Sequence, residues 1–288
     1  MNALVHSEPR ARHVPLPSRG GAIALLDFGP PDRPVDIVFS HANGFNGRTY
    51  ASILRPLASS LRILALDLRG HGASTLDTTI EGREGWPQFR DDLLALLAAE
   101  TDGPVILAGH SMGGTSSLLA AAAEPQRVKA LALFDPVVFI GDPATGDNML
   151  ANGADRRRAT FPSKAAAVAG YTGKGGFRSW SPEQLADYVE AGFRDTADGE
   201  VTLTCAPAWE ASNFRTHNYD AFGAFRATRC PIRILKAETA STARIEDIEA
   251  ELLATGRVTL DTIPGTSHFL PMERPDLVRA TLAELAAL

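Results

Sequence analysis

Residues 107–125 read LAGHSMGGTSSLLAAAAEP and contain the most informative motif of the chain. An apolar run ends in Gly109-His110-Ser111-Met112-Gly113, and a helical pattern of small and apolar residues begins at once. The pattern G-x-S-x-G between a strand and a helix is typical of a sharp turn that exposes a serine hydroxyl beside a helix N-terminus. The motif therefore predicts a nucleophile at Ser111, with the backbone N–H of Met112 free to stabilise an oxyanion.

Short apolar runs alternate with helical patterns along most of the chain. The apolar runs are residues 36–41, 61–72, 103–110, 128–136, 231–238 and 257–265, and the helical patterns are 87–100, 115–123, 245–255 and 275–287. Near-continuous apolar strands separated by helices predict a mostly parallel, doubly wound α/β sheet with helices on both faces. The earliest apolar segment, GAIALLDFG (21–29), is expected to form an antiparallel edge hairpin with the residues before it.

The alternation stops between Val137 and Thr228, where no clear buried strand is visible. An insertion of this length between two core strands predicts a separate domain or a lid. Twelve of the 20 aromatic residues of the chain lie in it, which favours a surface that packs over an apolar ligand, although we expect most of them to form the insertion's own small core. The predicted organisation is a core in two parts, 1–136 and 229–288, separated by a lid at 137–228.

Composition excludes several classes of protein. The net charge of -6 and the lack of a basic run argue against a nucleic-acid partner. No apolar stretch is long enough to span a membrane, and the first residues lack the apolar segment of a secretory signal, so we expect no membrane partner. Cys205 and Cys230 lie far apart and fit no metal-ligand spacing, which indicates free thiols and a cytoplasmic location.

A serine nucleophile needs a base, and His268 is the best placed of the seven histidines. It lies in PGTSHFLPMERP (264–275), after the last predicted strand and before the last helix. A loop at that position can reach back to the carboxyl edge of the sheet, where Ser111 is expected.

Four segments together resemble the α/β-hydrolase superfamily, in the lid-bearing branch that includes esterases, haloalkane dehalogenases and C–C bond hydrolases. HANGF (41–45) resembles the oxyanion loop, DLRGHGAS (67–74) the loop after the fourth strand, GHSMGG (109–114) the nucleophile turn, and SHFLPMERP (267–275) the histidine loop. The resemblance covers the chain from about Val35 onward and leaves the insertion unmatched. It implies the α/β-hydrolase fold, with a helical lid inserted after the sixth strand.

The resemblance also implies roles for individual residues. Ser111 would be the nucleophile and His268 the general base, and the backbone N–H groups of Asn43 and Met112 would form the oxyanion hole. Ala42 departs from the family, which often has glycine there, but a small residue is retained. No metal and no organic cofactor is implied.

The acid of the triad is left open by the sequence. The usual family position, in the loop after the strand at 231–238, is Ala240, and Glu238 lies two residues too early. A second family position follows the sixth strand, and Asp135 occupies it, 24 residues after Ser111. We favour Asp135 over Glu238 as the acid. A Ser-His dyad oriented by water or a backbone group is the third alternative.

These observations predict a serine hydrolase that cleaves a carboxylic ester or lactone through an acyl-enzyme. The aromatic insertion favours a small apolar or aromatic acyl substrate, and we expect a monomer or a homodimer. C–C bond hydrolysis or perhydrolysis by the same triad is an alternative, because fold and triad are shared among these reactions. A hydrolase-like receptor for a small molecule is the alternative from another class of protein.

Overall fold

The computed structural model describes residues 8–139, 148–216 and 218–288. Eleven strands lie in these residues: β1 (Arg10–Leu16), β2 (Gly21–Phe28), β3 (Ile37–Ser40), β4 (Ile63–Asp67), β5 (Val105–His110), β6 (Val128–Phe134), β7 (Thr160–Phe161), β8 (Phe193–Asp195), β9 (Val201–Leu203), β10 (Ile232–Ala237) and β11 (Val258–Ile263). Eight of them form the main sheet, in the order β1-β2-β4-β3-β5-β6-β10-β11.

The main sheet is parallel from β4 to β11 and antiparallel at one edge. The hairpin β1–β2 forms that edge, and β2 also pairs antiparallel with β4. The mostly parallel sheet confirms the predicted fold class, and the edge hairpin lies where the sequence placed it. In a parallel sheet the carboxyl ends of the strands share one edge, so the loops after β3, β5, β6 and β11 lie close together.

Eleven α-helices lie in the described residues: α1 (Ala51–Leu54), α2 (Pro87–Glu100), α3 (Met112–Ala123), α4 (Met149–Asp155), α5 (Lys164–Tyr171), α6 (Pro182–Gly192), α7 (Pro207–Arg215), α8 (Ala221–Ala227), α9 (Glu249–Ala254), α10 (Leu270–Glu273) and α11 (Pro275–Ala286). All four helical patterns of the sequence correspond to helices, and the helix predicted at 245–255 differs most from the observed one. Residues 245–248 form a turn, and α9 begins only at Glu249.

Both faces of the sheet are covered by apolar side chains. Along β5, Val105 and Leu107 belong to one buried cluster, whereas Ile106 and Ala108 belong to the cluster on the opposite face. Successive side chains of a strand point to opposite faces, so a strand covered on both sides must be apolar throughout. This requirement explains why the central strands read as uninterrupted apolar runs in the sequence.

Between β6 and β10 the described residues add no strand to the main sheet. They form α4 to α8 and a small antiparallel sheet in the order β7-β9-β8. The sequence shows no clear strand in this region, whereas the structure has the three short strands β7, β8 and β9. Strands of only two or three residues are too short to produce a recognisable alternation. The role of the insertion as a lid, and its bounds at 137 and 228, stay predictions.

Aromatic rings of the insertion pack on one another and on the core. Tyr171, Phe177 and Tyr188 contact one another, with ring centroids 4.7 to 6.1 Å apart. Phe45, in the loop after β3, packs edge-to-face against Trp180 at 5.2 Å and so joins this cluster to the core. Most of these aromatic side chains therefore form a packed core at the junction of insertion and sheet.

Candidate active site

Ser111 lies at the turn between β5 and α3, in a backbone conformation that side chains rarely adopt. Its φ of 54° and ψ of -123° bring it to the carboxyl edge of the sheet as the residue before the first turn of α3. The turn is closely packed, because a Cβ at Gly109 would lie 2.4 Å from the carbonyl carbon of Gly113. A Cβ at Gly113 would lie 2.2 Å from the carbonyl oxygen of Ser40. The glycines of the motif are thus required by the packing.

His268 lies in the loop between β11 and α10 and contacts two polar groups. Its Nε2 is 3.0 Å from Oγ of Ser111, and its Nδ1 is 2.6 Å from Oδ2 of Asp135. The structure therefore brings these three side chains into one continuous hydrogen-bonded row. Ser111 is 6% exposed and the His268 side chain 21% exposed, so the row has limited access to solvent.

Asp135 is fully buried, directly after β6, with a positive φ of 43°. Its Oδ1 accepts hydrogen bonds from the backbone N–H of Ala237 at 2.9 Å and from Oγ of Ser241 at 2.6 Å. Its Oδ2 accepts from the backbone N–H of Thr242 at 3.0 Å as well as from His268. Burial raises the pKa of Asp135, but the hydrogen bonds from His268, Ser241 and Ala237 outweigh burial and lower it. The site thus holds a charged carboxylate against the imidazole.

The loop after β10 supports Asp135 and does not itself present a carboxylate to His268. Ala240, where the family usually has its acid, has a positive φ of 51°. Glu238 is directed elsewhere, and its Oε2 accepts a hydrogen bond from the backbone N–H of Gly265 at 2.9 Å. Of the two candidate acids, the structure places only Asp135 within hydrogen-bond distance of His268.

The loop after β3 carries Asn43, and most of its other backbone N–H groups already have partners. Ala42 N–H donates to Oη of Tyr50 at 3.2 Å, Gly44 N–H to Nε2 of His71 at 3.0 Å, and Phe45 N–H to the carbonyl of Ala42 at 3.1 Å. For the backbone N–H of Asn43, no acceptor lies within the described residues. The backbone N–H of Asn43 is therefore available to a ligand.

Met112 supplies the second candidate N–H group. As the first residue of α3, its N–H has no intrahelical acceptor and lies at the positive end of the helix dipole. The close contact of Gly113 with Ser40 shows that the start of α3 packs against the end of β3. Asn43 and Met112 thus follow neighbouring strands, since β3 and β5 pair in parallel.

Two buried histidines of the sequence motifs hold loops in place. His41 donates from Nδ1 to the carbonyl of Ala42 and accepts at Nε2 from the N–H of Leu68. His71 donates from Nδ1 to the carbonyl of Arg69 and accepts at Nε2 from Gly44. Burial lowers the pKa of both rings, that of His71 to about 4. Both rings are therefore neutral at pH 7.

Sequence reasoning missed several residues that shape the site. Ser241 and Thr242 hold Asp135, although they follow β10 by only a few residues. Polar residues directly after a predicted parallel strand were the available signal, because such positions share one edge of the sheet. Asn213 of α7, which contacts Asn43, gave no signal at all.

One further cavity and the candidate metal ligands bear on whether other sites exist in the described residues. A surface depression of about 230 Å³ between Gly103 and Arg127 lies at the amino ends of β5 and β6, opposite to Ser111. Within the same residues there is no group of three or more His, Cys, Asp or Glu side chains that could hold a metal ion. None of the helices in the described ranges has the length and apolar character needed to cross a membrane.

A mostly parallel sheet that presents serine, histidine and aspartate at its carboxyl edge, in the chain order serine, aspartate, histidine, defines an α/β hydrolase. The model of the alpha/beta hydrolase family matches residues 37–281, and the chain belongs to that family. The match spans both parts of the predicted core and the insertion between them.

Hydrolases are among the known proteins to which the chain is similar. The chain is 24% identical over 245 residues to 2-(acetamidomethylene)succinate hydrolase of Mesorhizobium japonicum, covering 84% of each chain. A crystal structure of E-2-(acetamidomethylene)succinate hydrolase superposes with a TM-score of 0.81 and 21% identity, covering 97% of this chain and 100% of the other. Pimeloyl-[acyl-carrier protein] methyl ester esterase of Chromobacterium violaceum is 36% identical over 112 residues, which is 38% of this chain and 39% of that protein.

Proposed function

We propose that this protein is a serine hydrolase that cleaves a carboxylic ester or lactone through an acyl-enzyme. The observation that carries the proposal is the row from Ser111 Oγ through both ring nitrogens of His268 to Asp135. Ser111 is the nucleophile, His268 the general base and Asp135 the acid that orients the imidazole. The similarity to a methyl ester esterase supports an ester substrate.

Acylation begins when Ser111 Oγ attacks the carbonyl carbon and His268 Nε2 takes the hydroxyl proton. The carbonyl oxygen becomes an oxyanion that accepts from the N–H groups of Asn43 and Met112. Asp135 stabilises the imidazolium that forms on His268. When the tetrahedral intermediate collapses, the bond to the leaving oxygen breaks and that oxygen takes the proton from His268.

Deacylation repeats these steps with water as the nucleophile. His268 takes a proton from water, the hydroxide attacks the acyl carbon, and the same two N–H groups receive the second oxyanion. Collapse returns the proton to Ser111 Oγ and releases the carboxylic acid. The limited exposure of Ser111 favours a small acyl group.

The experiment that tests the proposal is a turnover count with a panel of short-chain p-nitrophenyl esters, with Ser111→Ala as the control. We expect many turnovers per enzyme molecule for the native protein and none above background for Ser111→Ala. A folded native protein that turns over none of these esters would argue against ester hydrolysis.

A second candidate substrate is a small N-acyl compound related to 2-(acetamidomethylene)succinate. The likeness to the hydrolase of that compound over 84% of each chain favours it. The same Ser111-His268-Asp135 row would carry the reaction. Incubation with 2-(acetamidomethylene)succinate separates the two candidates, because turnover of this compound in the absence of ester turnover would favour the second.

A further inference from the structure

The side chain of Asn43 is held by helix α7 of the insertion. Its Nδ2 donates to the backbone carbonyl of Glu210 at 3.0 Å, and its Oδ1 accepts from Nδ2 of Asn213 at 2.9 Å. Both partners lie in α7, about 170 residues further along the chain. The loop that carries a proposed oxyanion donor is thus fixed from the insertion as well as from the core.

The hydrogen bonds through these two amides run in one direction only. Arg83 Nη1 donates to Oδ1 of Asn213 at 2.7 Å, and a guanidinium can only donate. Asn213 must then present Nδ2 to Asn43, which in turn presents Nδ2 to the carbonyl of Glu210, an obligate acceptor. The row from Arg83 to Glu210 therefore allows a single orientation of each amide.

Helix α7 is itself anchored to the core beside this row. Trp209 donates from Nε1 to the carbonyl of Arg69 at 3.0 Å, and Trp86 donates from Nε1 to the carbonyl of Asn213 at 2.9 Å. The guanidinium of Arg83 stacks over the ring of Trp209 at 4.1 Å. Asn213 is fully buried. These contacts hold the Asn213 amide in one position. Through its hydrogen bond to Asn43, the amide can therefore hold the loop after β3.

We propose that Asn213 is a positioning residue that acts through Asn43, so that α7 holds in place the loop that carries one donor of the oxyanion hole. This inference rests on the proposed function, in which the backbone N–H of Asn43 stabilises the oxyanion. A displaced loop would weaken binding of the tetrahedral intermediate and leave binding of the ground-state ester almost unchanged.

The test uses Asn213→Asp, which keeps the shape of the side chain and the acceptor for Arg83 but removes the donor to Asn43. Two quantities are measured: kcat and KM for p-nitrophenyl butyrate, and the Kd of phenylboronic acid, which forms a tetrahedral adduct on a serine hydroxyl. We expect kcat to fall and the boronate Kd to rise by at least about 10-fold, with KM changed by less than about 2-fold.

The matched control is Ser212→Ala, one residue earlier in α7. Ser212 Oγ accepts from the same Nη1 of Arg83 at 2.6 Å and donates to the carbonyl of Trp209, so its hydrogen bonds do not involve Asn43. Its loss should leave kcat and the boronate Kd within about 2-fold of the native values, because the two-amide row stays intact. If Asn213→Asp does not fold, Asn43→Ala decides, since it removes the anchor and keeps the backbone N–H.

The outcomes separate this inference from the proposed function. If the native protein turns over ester and Asn213→Asp matches it in both kcat and boronate Kd, the positioning role is wrong and the proposed function stands. If Asn213→Asp and Ser212→Ala lose activity equally, the effect belongs to the helix as a whole and the positioning role is again wrong. If the native protein neither turns over ester nor binds the boronate, the proposed function fails, and this inference fails with it.

Discussion

His110 and His268 are joined by a partly buried hydrogen bond, in which Nε2 of His110 lies 2.7 Å from the backbone oxygen of His268. A carbonyl only accepts, so His110 donates from Nε2, and its Nδ1 must accept from Oη of Tyr50 at 2.8 Å. Tyr50 accepts in turn from the N–H of Ala42. One row of polar groups thus links the oxyanion loop, the residue before Ser111 and the loop of the proposed base.

Replacement of Tyr50 tests the importance of this row. Tyr50→Phe leaves the Ala42 N–H and the His110 Nδ1 buried without a partner, which costs about 1 to 3 kcal/mol of unfolding free energy. We expect kcat to fall as well, because two functional loops lose their common support. Urea denaturation and ester kinetics measure the two effects.

The control for this variant is Tyr171→Phe. The Tyr171 hydroxyl is buried and has no hydrogen-bond partner among the described residues. Its removal should therefore leave stability unchanged or slightly increased. Equal losses in the two variants would show that any buried tyrosine hydroxyl matters to the same degree, contrary to the role given to Tyr50.

The choice of acid is tested by Asp135→Asn beside Glu238→Gln. Asp135→Asn removes the charge that stabilises the His268 imidazolium and should lower kcat by roughly 10²- to 10⁴-fold. Glu238→Gln keeps an oxygen for the N–H of Gly265 and should change kcat little. Near-native kcat in both variants would exclude Asp135 as the acid and favour the Ser-His dyad.

The packing of the nucleophile turn predicts a large cost for a single methyl group. Gly113→Ala places a Cβ 2.2 Å from the backbone of Ser40, so one of two packed elements must move, at a cost of about 3 kcal/mol. At Gly153, in α4, an added Cβ would have no atom of the described residues outside its own helix backbone within 4 Å, and Gly153→Ala should be neutral or stabilising. Thermal unfolding measures both variants, and equal stability of Gly113→Ala and Gly153→Ala would refute the packing argument.

Three buried neutral histidines predict sensitivity of the fold to acid. Burial lowers the pKa of His110 to about 3 and of His71 to about 4, and that of His41 well below its usual value. Because these folded-state values lie below the unfolded value of about 6.5, the unfolded chain binds protons first. The neutral histidines therefore contribute their full share to the free energy of unfolding above pH 6.5. Below that pH the free energy of unfolding falls, by up to about 1.4 kcal/mol per pH unit for each ring.

Asp67 acts in the opposite direction, because burial raises its pKa to about 6 and the folded state then takes up the proton first. It offsets part of the histidine effect between about pH 6 and pH 4. The net prediction is checked by urea unfolding at pH 7.5, 6.5 and 5.5, with His71→Asn for comparison. His71→Asn should be less stable at pH 7.5 but lose less stability on acidification. If the free energy of unfolding of His71→Asn falls with decreasing pH as steeply as that of the native protein, His71 does not contribute to the acid sensitivity.

The central features of the fold were predictable from the sequence because they depend on local patterns. Buried strands must be apolar on both faces, and the turn at Ser111 requires glycine at 109 and 113, so both leave a clear signal. The edge hairpin was predictable for a related reason, because two strands that are close in sequence commonly pair with each other.

The acid and the supports of the site depend on contacts that sequence patterns do not encode. Asp135 and Glu238 both follow core strands, so the sequence does not show which carboxylate points to His268. In the folded chain Asp135 bonds His268, whereas Glu238 bonds the backbone of Gly265. The contact between Asn43 and Asn213 joins residues 170 positions apart, and each is an ordinary polar residue in its own segment. The short strands β7 to β9 were missed because two or three residues carry no periodicity.

A rapid-quench experiment with p-nitrophenyl acetate can detect the proposed acyl-enzyme on Ser111. We predict an acetyl group on Ser111 in the quenched protein by peptide mass spectrometry, in an amount set by the ratio of the acylation and deacylation rates. Where deacylation limits turnover, this amount and the burst of p-nitrophenol are both close to one equivalent of enzyme. Asp135→Asn should show slower acetylation at the same residue, and Ser111→Ala none. Turnover of the ester by native protein without any acyl group on Ser111, or equal turnover by Ser111→Ala, would contradict the acyl-enzyme mechanism.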